Sequence, residues 1–70
     1  MAILKNICLE YTDDIAVEGN EIHAMINKKY ASDLQLKLEA RGCKLTSISK
    51  KYFIWLMSFN VPDSYELKYE

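Results

Sequence analysis

The chain has 70 residues, half of them hydrophobic, and a formal net charge of −1. Its length predicts one small domain over residues 1–70 that buries only roughly 60% of its unfolded surface. The hydrophobic content excludes a disordered chain, and the near-neutral charge argues against a general attraction to nucleic acid or anionic membranes. The net charge conceals a separation of acidic and basic residues along the chain. Residues 10–21 hold five acids and no base, whereas residues 28–51 hold seven bases and two acids.

Localisation and the state of the cysteines follow from what the sequence lacks. The first apolar residues are interrupted by Lys5, and no apolar run approaches the roughly 18 residues that a membrane helix needs. We therefore expect a cytoplasmic protein with no membrane partner. In a reducing compartment Cys8 and Cys43 are expected to be free thiols that pack as small hydrophobic residues, with a disulfide as the less favoured alternative.

The first half of the chain predicts two strands and a hairpin. Residues 3–11 alternate between apolar and polar side chains and predict a strand. Residues 12–14 are short and polar and predict a turn. Gly19-Asn20 then fits a two-residue hairpin turn, followed by an alternating strand over residues 20–26. The rival interpretation makes Asn20 a helix cap, but the turn signal and the alternation agree and favour the strand.

A helix is predicted next, and then two further strands. Asn27 is expected to cap the helix, and Arg41 and Gly42 to end it. Its apolar stripe consists of Tyr30, Ala31, Leu34 and Leu38. Residues 43–49 predict a strand with a bulge near Ser47, because Ile48 falls out of phase. Lys50-Lys51 would link it to the most apolar stretch, residues 52–61. The alternating tail over residues 65–69 predicts a short edge strand or a frayed end.

The stretch at residues 52–61 predicts the central strand, since aromatic and β-branched side chains suit a buried sheet. One face is wholly apolar and is expected in the core: Phe53, Trp55, Met57, Phe59 and Val61. The predicted fold is α+β, with a four-stranded antiparallel sheet and one helix packed on one face, in the order ββαββ. The fallback is βαββ, with residues 21–41 as one long helix.

The residues that could carry chemistry do not form a motif. A cysteine nucleophile with His23 as its base lacks an orienting third group, and adjacent Asp13 and Asp14 point apart on an extended chain. Two cysteines without C-x-x-C spacing and one histidine do not match a zinc site, and Gly19 and Gly42 cannot form a phosphate loop. We therefore expect no catalytic residue, no metal and no cofactor.

A binding surface is the function that the pattern does support. One helix covers only one face of the sheet, so the other face of the central strand should expose Tyr52, Ile54 and Leu56. Lys50 and Lys51 would form its charged rim, and we expect a protein partner, with a second copy of the chain as another occupant. The alternative is nucleic-acid binding, with lysines flanking an aromatic sheet face. Lys51-Tyr52-Phe53 lacks the glycines of the ribonucleoprotein motif, however, and the acidic half would repel phosphate.

Residues 18–24 lead to a predicted lysine-bearing helix, which a predicted strand pair ending at Trp55-Leu56 follows. In this layout the chain resembles small phage-encoded anti-CRISPR proteins. The resemblance covers about half of the chain and transfers no residue roles. It implies a non-enzymatic inhibitor that occupies a surface of a larger, in some cases nucleic-acid-binding, complex through charged and aromatic side chains.

Overall fold

The computed structural model describes residues 2–62, in which two helices pack on a four-stranded antiparallel sheet. In chain order the elements are α1 Ala2–Leu9, β1 Ile15–Glu18, β2 Glu21–Asn27, α2 Lys28–Glu39, β3 Lys44–Lys51 and β4 Ile54–Asn60. The strand order is β1-β2-β4-β3, which puts β4 inside the sheet and β3 at an edge. The α+β class and the antiparallel sheet are confirmed. The one-helix ββαββ layout is matched only in part, because an additional helix precedes the strands and α2. The predicted tail strand lies outside the described residues.

Helix α1 replaces the strand that was predicted for residues 3–11. The segment satisfies two periodicities at once, since Leu4, Ile7 and Cys8 also have the i, i+3, i+4 spacing of a helical stripe. These three side chains are buried against the rest of the core. Short apolar segments are ambiguous by pattern alone, and here the packing of the helical stripe decides.

The β1–β2 hairpin and α2 follow the prediction closely. Gly19 adopts a φ of +53° in the two-residue turn, and β2 pairs with β1 from Glu21 onwards. The strand interpretation of residues 20–26 is thus confirmed, and the fallback of one helix over residues 21–41 is wrong. The Asn27 side chain accepts a hydrogen bond from the Lys29 backbone N–H at 3.0 Å, which caps α2.

The end of α2 is set by Gly42, which has a φ of +89°. The N–H groups of Gly42 and Cys43 donate to the carbonyls of Glu39 and Leu38, the paired bonds of a Schellman motif. The predicted stop is therefore confirmed.

The β3–β4 hairpin differs from the prediction at its turn. Strand β3 continues through Lys51, and Tyr52-Phe53 forms the turn instead of Lys50-Lys51. The predicted bulge is confirmed, because the pairing with β4 shifts register between Leu45 and Ser47. Phe53 consequently lies outside the strand and is exposed, so its predicted core position is wrong.

The core lies on one side of the sheet only. Apolar side chains of α1 and α2 meet the inward-facing residues of β2 and β4, among them Ile22, Ala24, Met57 and Phe59. Leu34 and Leu38 contribute from α2 and are fully buried. The unpredicted helix α1 joins this same cluster, so it adds to the covered side, and no element of residues 2–62 covers the other side of the sheet.

Candidate binding site

The uncovered side of the sheet, which we call the open face, is formed by the alternate residues of the same strands. Its central side chains are Glu21, His23 and Met25 on β2, and Ile54, Leu56 and Ser58 on β4. The cross-strand pairs Met25–Leu56 and His23–Ser58 lie side by side on it. The open face therefore has an apolar part beside a polar part.

The apolar part is a shallow pocket. Met25, Ile54 and Leu56 are each about two-fifths exposed, although the same side chain types are fully buried on the covered side. With Ser49 and Lys51 of β3 they line a cavity of about 250 Å³. Three apolar walls and one ammonium group suit an apolar ligand group with an adjacent negative charge.

The predicted binding residues divide among three places. Ile54, Leu56 and Lys51 meet at the pocket. Lys50 points to the other side of the sheet, where its Nζ lies 4.5 Å from the centre of the Trp55 ring. Tyr52 stands in the β3–β4 turn, 95% exposed, with a φ of +51°. The predicted set is thus divided among a pocket on the open face, a lysine on the covered side and a tyrosine in the β3–β4 turn.

Two pocket residues were not predicted as binding residues. Met25 was placed on the polar side of an alternating strand, and Ser49 belongs to an edge strand whose phase the bulge changes. The sequence does carry a signal for Met25. Side chains alternate along a strand, so Met25 falls on the same face of β2 as Glu21 and His23, opposite to the core residues of that strand. The cross-strand register that sets it against Leu56 is a tertiary property.

The polar part of the open face holds a serine, a histidine and an acid in line. The Ser58 Oγ lies 2.7 Å from His23 Nδ1, and His23 Nε2 lies 3.7 Å from a Glu21 carboxylate oxygen. Acyl transfer by such a set needs backbone N–H donors aimed at a developing oxyanion. Strand β4 is paired on both sides here, with the register shift of β3 opposite Ser58. The geometry shows a Ser58–His23 hydrogen bond beside Glu21, which forms a polar patch on the open face.

Both cysteines lie on the covered side, away from the pocket. They are buried and are not bonded to each other. Burial, together with a smaller effect of nearby Cys43, raises the pKa of the Cys8 thiol from 9.0 to about 11. Burial also raises the pKa of Cys43. Because the thiolate is the reactive form, these thiols are poor nucleophiles at neutral pH.

Charge is unevenly distributed along the open face. Lys51 lies beside the turn at one end, whereas Glu18 and Glu21 face each other at the far end of the β1–β2 hairpin. Ile54 and Asn60, which mark the two ends of β4, are six residues apart, or about 20 Å in a strand. The far end also holds Lys44 of β3, which is paired with Asn60 of β4, so it carries both signs of charge, whereas the pocket lies towards the Lys51 end.

Residues 2–62 contain no cluster of three or more potential metal ligands. Neither of the helices in that part of the chain is long and apolar enough to cross a membrane. Comparison of the chain with protein-family models, curated proteins and solved structures finds no match.

Proposed function

We propose that the chain is a small non-enzymatic protein-binding module that docks its open face on a larger partner protein. The observation that carries the proposal is the pocket of Met25, Ile54 and Leu56 on the one sheet face that both helices leave uncovered. Apolar side chains gathered at a concave site gain free energy when a partner covers them. The resemblance to anti-CRISPR proteins supports an inhibitory role, in which occupying the partner's surface is itself the activity.

The lining of the pocket defines the chemistry of the partner. An aromatic or branched aliphatic side chain would fill the apolar part, and a neighbouring carboxylate would pair with Lys51 at the rim. The Lys51 ammonium is exposed, so it contributes more to the rate and specificity of association than to affinity. Most of the affinity would come from Leu56 and Met25, which lie opposite each other on the two inner strands.

The size of the open face favours a larger partner over a second copy. Three strands of seven or eight residues and one strand of four project an area of roughly 400 Å², taking strand spacing and rise as usual. A standard stable interface buries about 800 Å² on each partner. Stacking of two copies through this face alone falls short of that area, whereas a larger protein can also contact the rim of the pocket and the β3–β4 turn.

The test compares two leucines that are exposed on different sides of the molecule. Leu56→Asp places a charge in the pocket, and Leu36→Asp places the same charge on the solvent side of α2. Immobilised wild-type and variant proteins would be used to capture partners from a cell extract. The captured protein would then be purified and titrated into each variant by calorimetry, with circular dichroism to confirm the fold.

We expect Leu56→Asp to weaken binding at least 10-fold and Leu36→Asp to leave it within about 2-fold, as surface positions outside an interface do. Equal binding by both variants would show that the open face is not the docking surface. Sedimentation of the wild type supplies the other decisive outcome. A dimer that Leu56→Asp dissociates would assign the face to a second copy and refute the larger partner.

A further inference from the structure

The β3–β4 turn presents two aromatic side chains to solvent on a rigid support. Tyr52 and Phe53 form a two-residue turn, and Tyr52 holds a φ of +51°, a conformation that bulky residues rarely adopt. Tyr52 is 95% exposed and Phe53 66% exposed. Glycine or asparagine is the usual residue for this backbone conformation. An aromatic residue that is strained and uncovered gains nothing for the fold, which points to a use outside it.

The turn is fixed against the start of helix α2. The Lys28 backbone N–H donates to the Phe53 carbonyl at 2.7 Å, and the Lys28 Nζ lies 5.2 Å from the centre of the Phe53 ring. The last pair of the β2–β4 ladder, Asn27 with Ile54, lies next to these contacts. Turn and helix start therefore form one surface, which we call the hairpin tip: Lys28, Lys50, Lys51, Tyr52 and Phe53.

The hairpin tip is basic, and the acids on and beside the β1–β2 hairpin lie away from it; among the described residues Asp33, five residues along α2 from Lys28, is nearer. Glu18 and Glu21 are at the other end of the sheet, about 20 Å along the strands. Asp13 and Asp14 are beside β1, which is two strands or about 10 Å from β4 across the sheet. The Debye length is about 8 Å at physiological ionic strength, so these carboxylates do not neutralise the three lysines. The repulsion of phosphate expected from the acidic segment is thus weak at this site.

We propose that the hairpin tip binds single-stranded nucleic acid, with a base stacked on the Tyr52 ring and phosphates held by Lys28, Lys50 and Lys51. Both faces of the Tyr52 ring are open, as base stacking requires, and lysines stand on either side of the turn. Phe53 offers its uncovered face and edge, since the Lys28 ammonium occupies the other face.

A single strand fits the hairpin tip better than a duplex or an acidic protein does. In a duplex the bases are already stacked, so Tyr52 would contribute nothing and only the lysines would act. An acidic protein would need the ring to enter a pocket on its own surface. Convex shape, exposed rings and flanking cations together match the elements by which proteins bind single strands without sequence preference.

The probe is a fluorescein-labelled oligo-dT strand of about 20 nucleotides, longer than the usual site of a single-strand binder. Fluorescence anisotropy would be measured with the 70-residue chain from about 20 to 300 mM salt. Three phosphate contacts predict that the logarithm of the association constant falls with the logarithm of salt concentration with a slope of about −2. A duplex of the same length and poly-L-glutamate serve as competitors.

The variants separate stacking from charge. Tyr52→Asn removes the ring while suiting the positive φ, so the fold is retained; we expect affinity to fall 5-fold or more, with Tyr52→Phe within about 2-fold of wild type. Lys28→Gln and Lys50→Gln should each reduce the steepness of the salt dependence by about 0.7. Lys44→Gln, the same change at the far end of β3, is the matched control and should alter neither quantity.

Three outcomes would overturn the proposal. The first is no binding of oligo-dT at the lowest salt concentration. The second is binding that Tyr52→Asn leaves intact, or that Lys44→Gln weakens as much as Lys28→Gln does. The third is stronger binding of poly-L-glutamate with the same dependence on Tyr52, which would assign the hairpin tip to an acidic protein. Neither Tyr52 nor Lys28 lines the pocket, so failure here leaves the open-face proposal to its own test.

Discussion

The two faces of the sheet are built from alternate residues of the same strands, and apolar side chains that both faces carry differ sharply in burial. Met57 is fully buried and Met25 is 43% exposed, although they lie on adjacent strands, one register position apart. Phe59 and Leu56 differ in the same way along β4. Both helices pack on the same face, so the position of the helices decides which apolar residues become core.

This difference in burial implies that apolar residues on the two faces of one strand contribute differently to the stability of the fold. On the covered side an apolar side chain fills space between the sheet and the helices, and its removal leaves a cavity. On the open face it contacts water on one side, so its removal leaves no cavity and changes mainly the surface that a partner would meet. Stability measurements on matched pairs across the sheet would test this division.

The largest effect is expected from Phe59. Phe59→Ala should lower the free energy of unfolding by about 3–5 kcal/mol, while Leu56→Ala should cost less than about 1 kcal/mol. Urea unfolding followed by circular dichroism measures both. The loss expected for Phe59→Ala approaches the whole free energy of unfolding of a small domain, which can leave that variant unfolded. Phe59→Leu leaves a smaller cavity at the same position and serves as the second variant. Equal costs at Phe59 and Leu56 would contradict the one-sided core.

A smaller effect comes from the thiol that the covered side buries. The Cys8 pKa of about 11 in the folded chain lies above that of an exposed thiol, so the unfolded state ionises first as the pH rises. The stabilisation is fully present below about pH 9 and is lost between about pH 9 and 11, on the order of 2 kcal/mol in total.

Urea unfolding across that pH range would test the ionisation of Cys8. Lysines and tyrosines titrate in the same interval, so the informative quantity is the difference between wild type and Cys8→Ala. The variant should lose less stability between pH 9 and 11 than the wild type does. Parallel pH profiles for the two proteins would show that Cys8 ionises equally well in both states.

The smallest effect is expected on the open face, at the Ser58–His23 pair. Ser58→Ala removes a 2.7 Å hydrogen bond, but His23 is partly exposed and can bond to water instead. We expect a loss of about 1 kcal/mol or less, with Ser49→Ala, on the exposed part of β3, within about 0.5 kcal/mol of wild type. A loss from Ser58→Ala as large as that from Phe59→Ala would mean that the open face contributes to the core of the fold.

Local physical rules made much of the chain predictable. Gly19, Asn27 and Gly42 mark a turn, a helix start and a helix end. The two glycines do so through a positive φ and Asn27 through its bond from the Lys29 N–H, so none of them needs a distant partner. The bulge near Ser47 was likewise predictable from the sequence, because Ile48 breaks the alternation of β3. The exposure of apolar residues on the open face was predictable because one helix covers only one face of a sheet. They remain exposed because the additional helix packs on the face that α2 already covers.

Tertiary structure decided the parts that depend on contacts distant in sequence. Residues 3–11 fit a strand and a helix equally well, and only the burial of Leu4, Ile7 and Cys8 against the sheet selects the helix. The β3–β4 turn was misplaced by two residues, because Tyr52-Phe53 has no turn signal and its aromatic character indicates a strand. Register alone brings Met25, Ser49 and Leu56 together. Sequence thus determined which residues are apolar, and packing determined which of them remain exposed, because burial depends on where the helices lie.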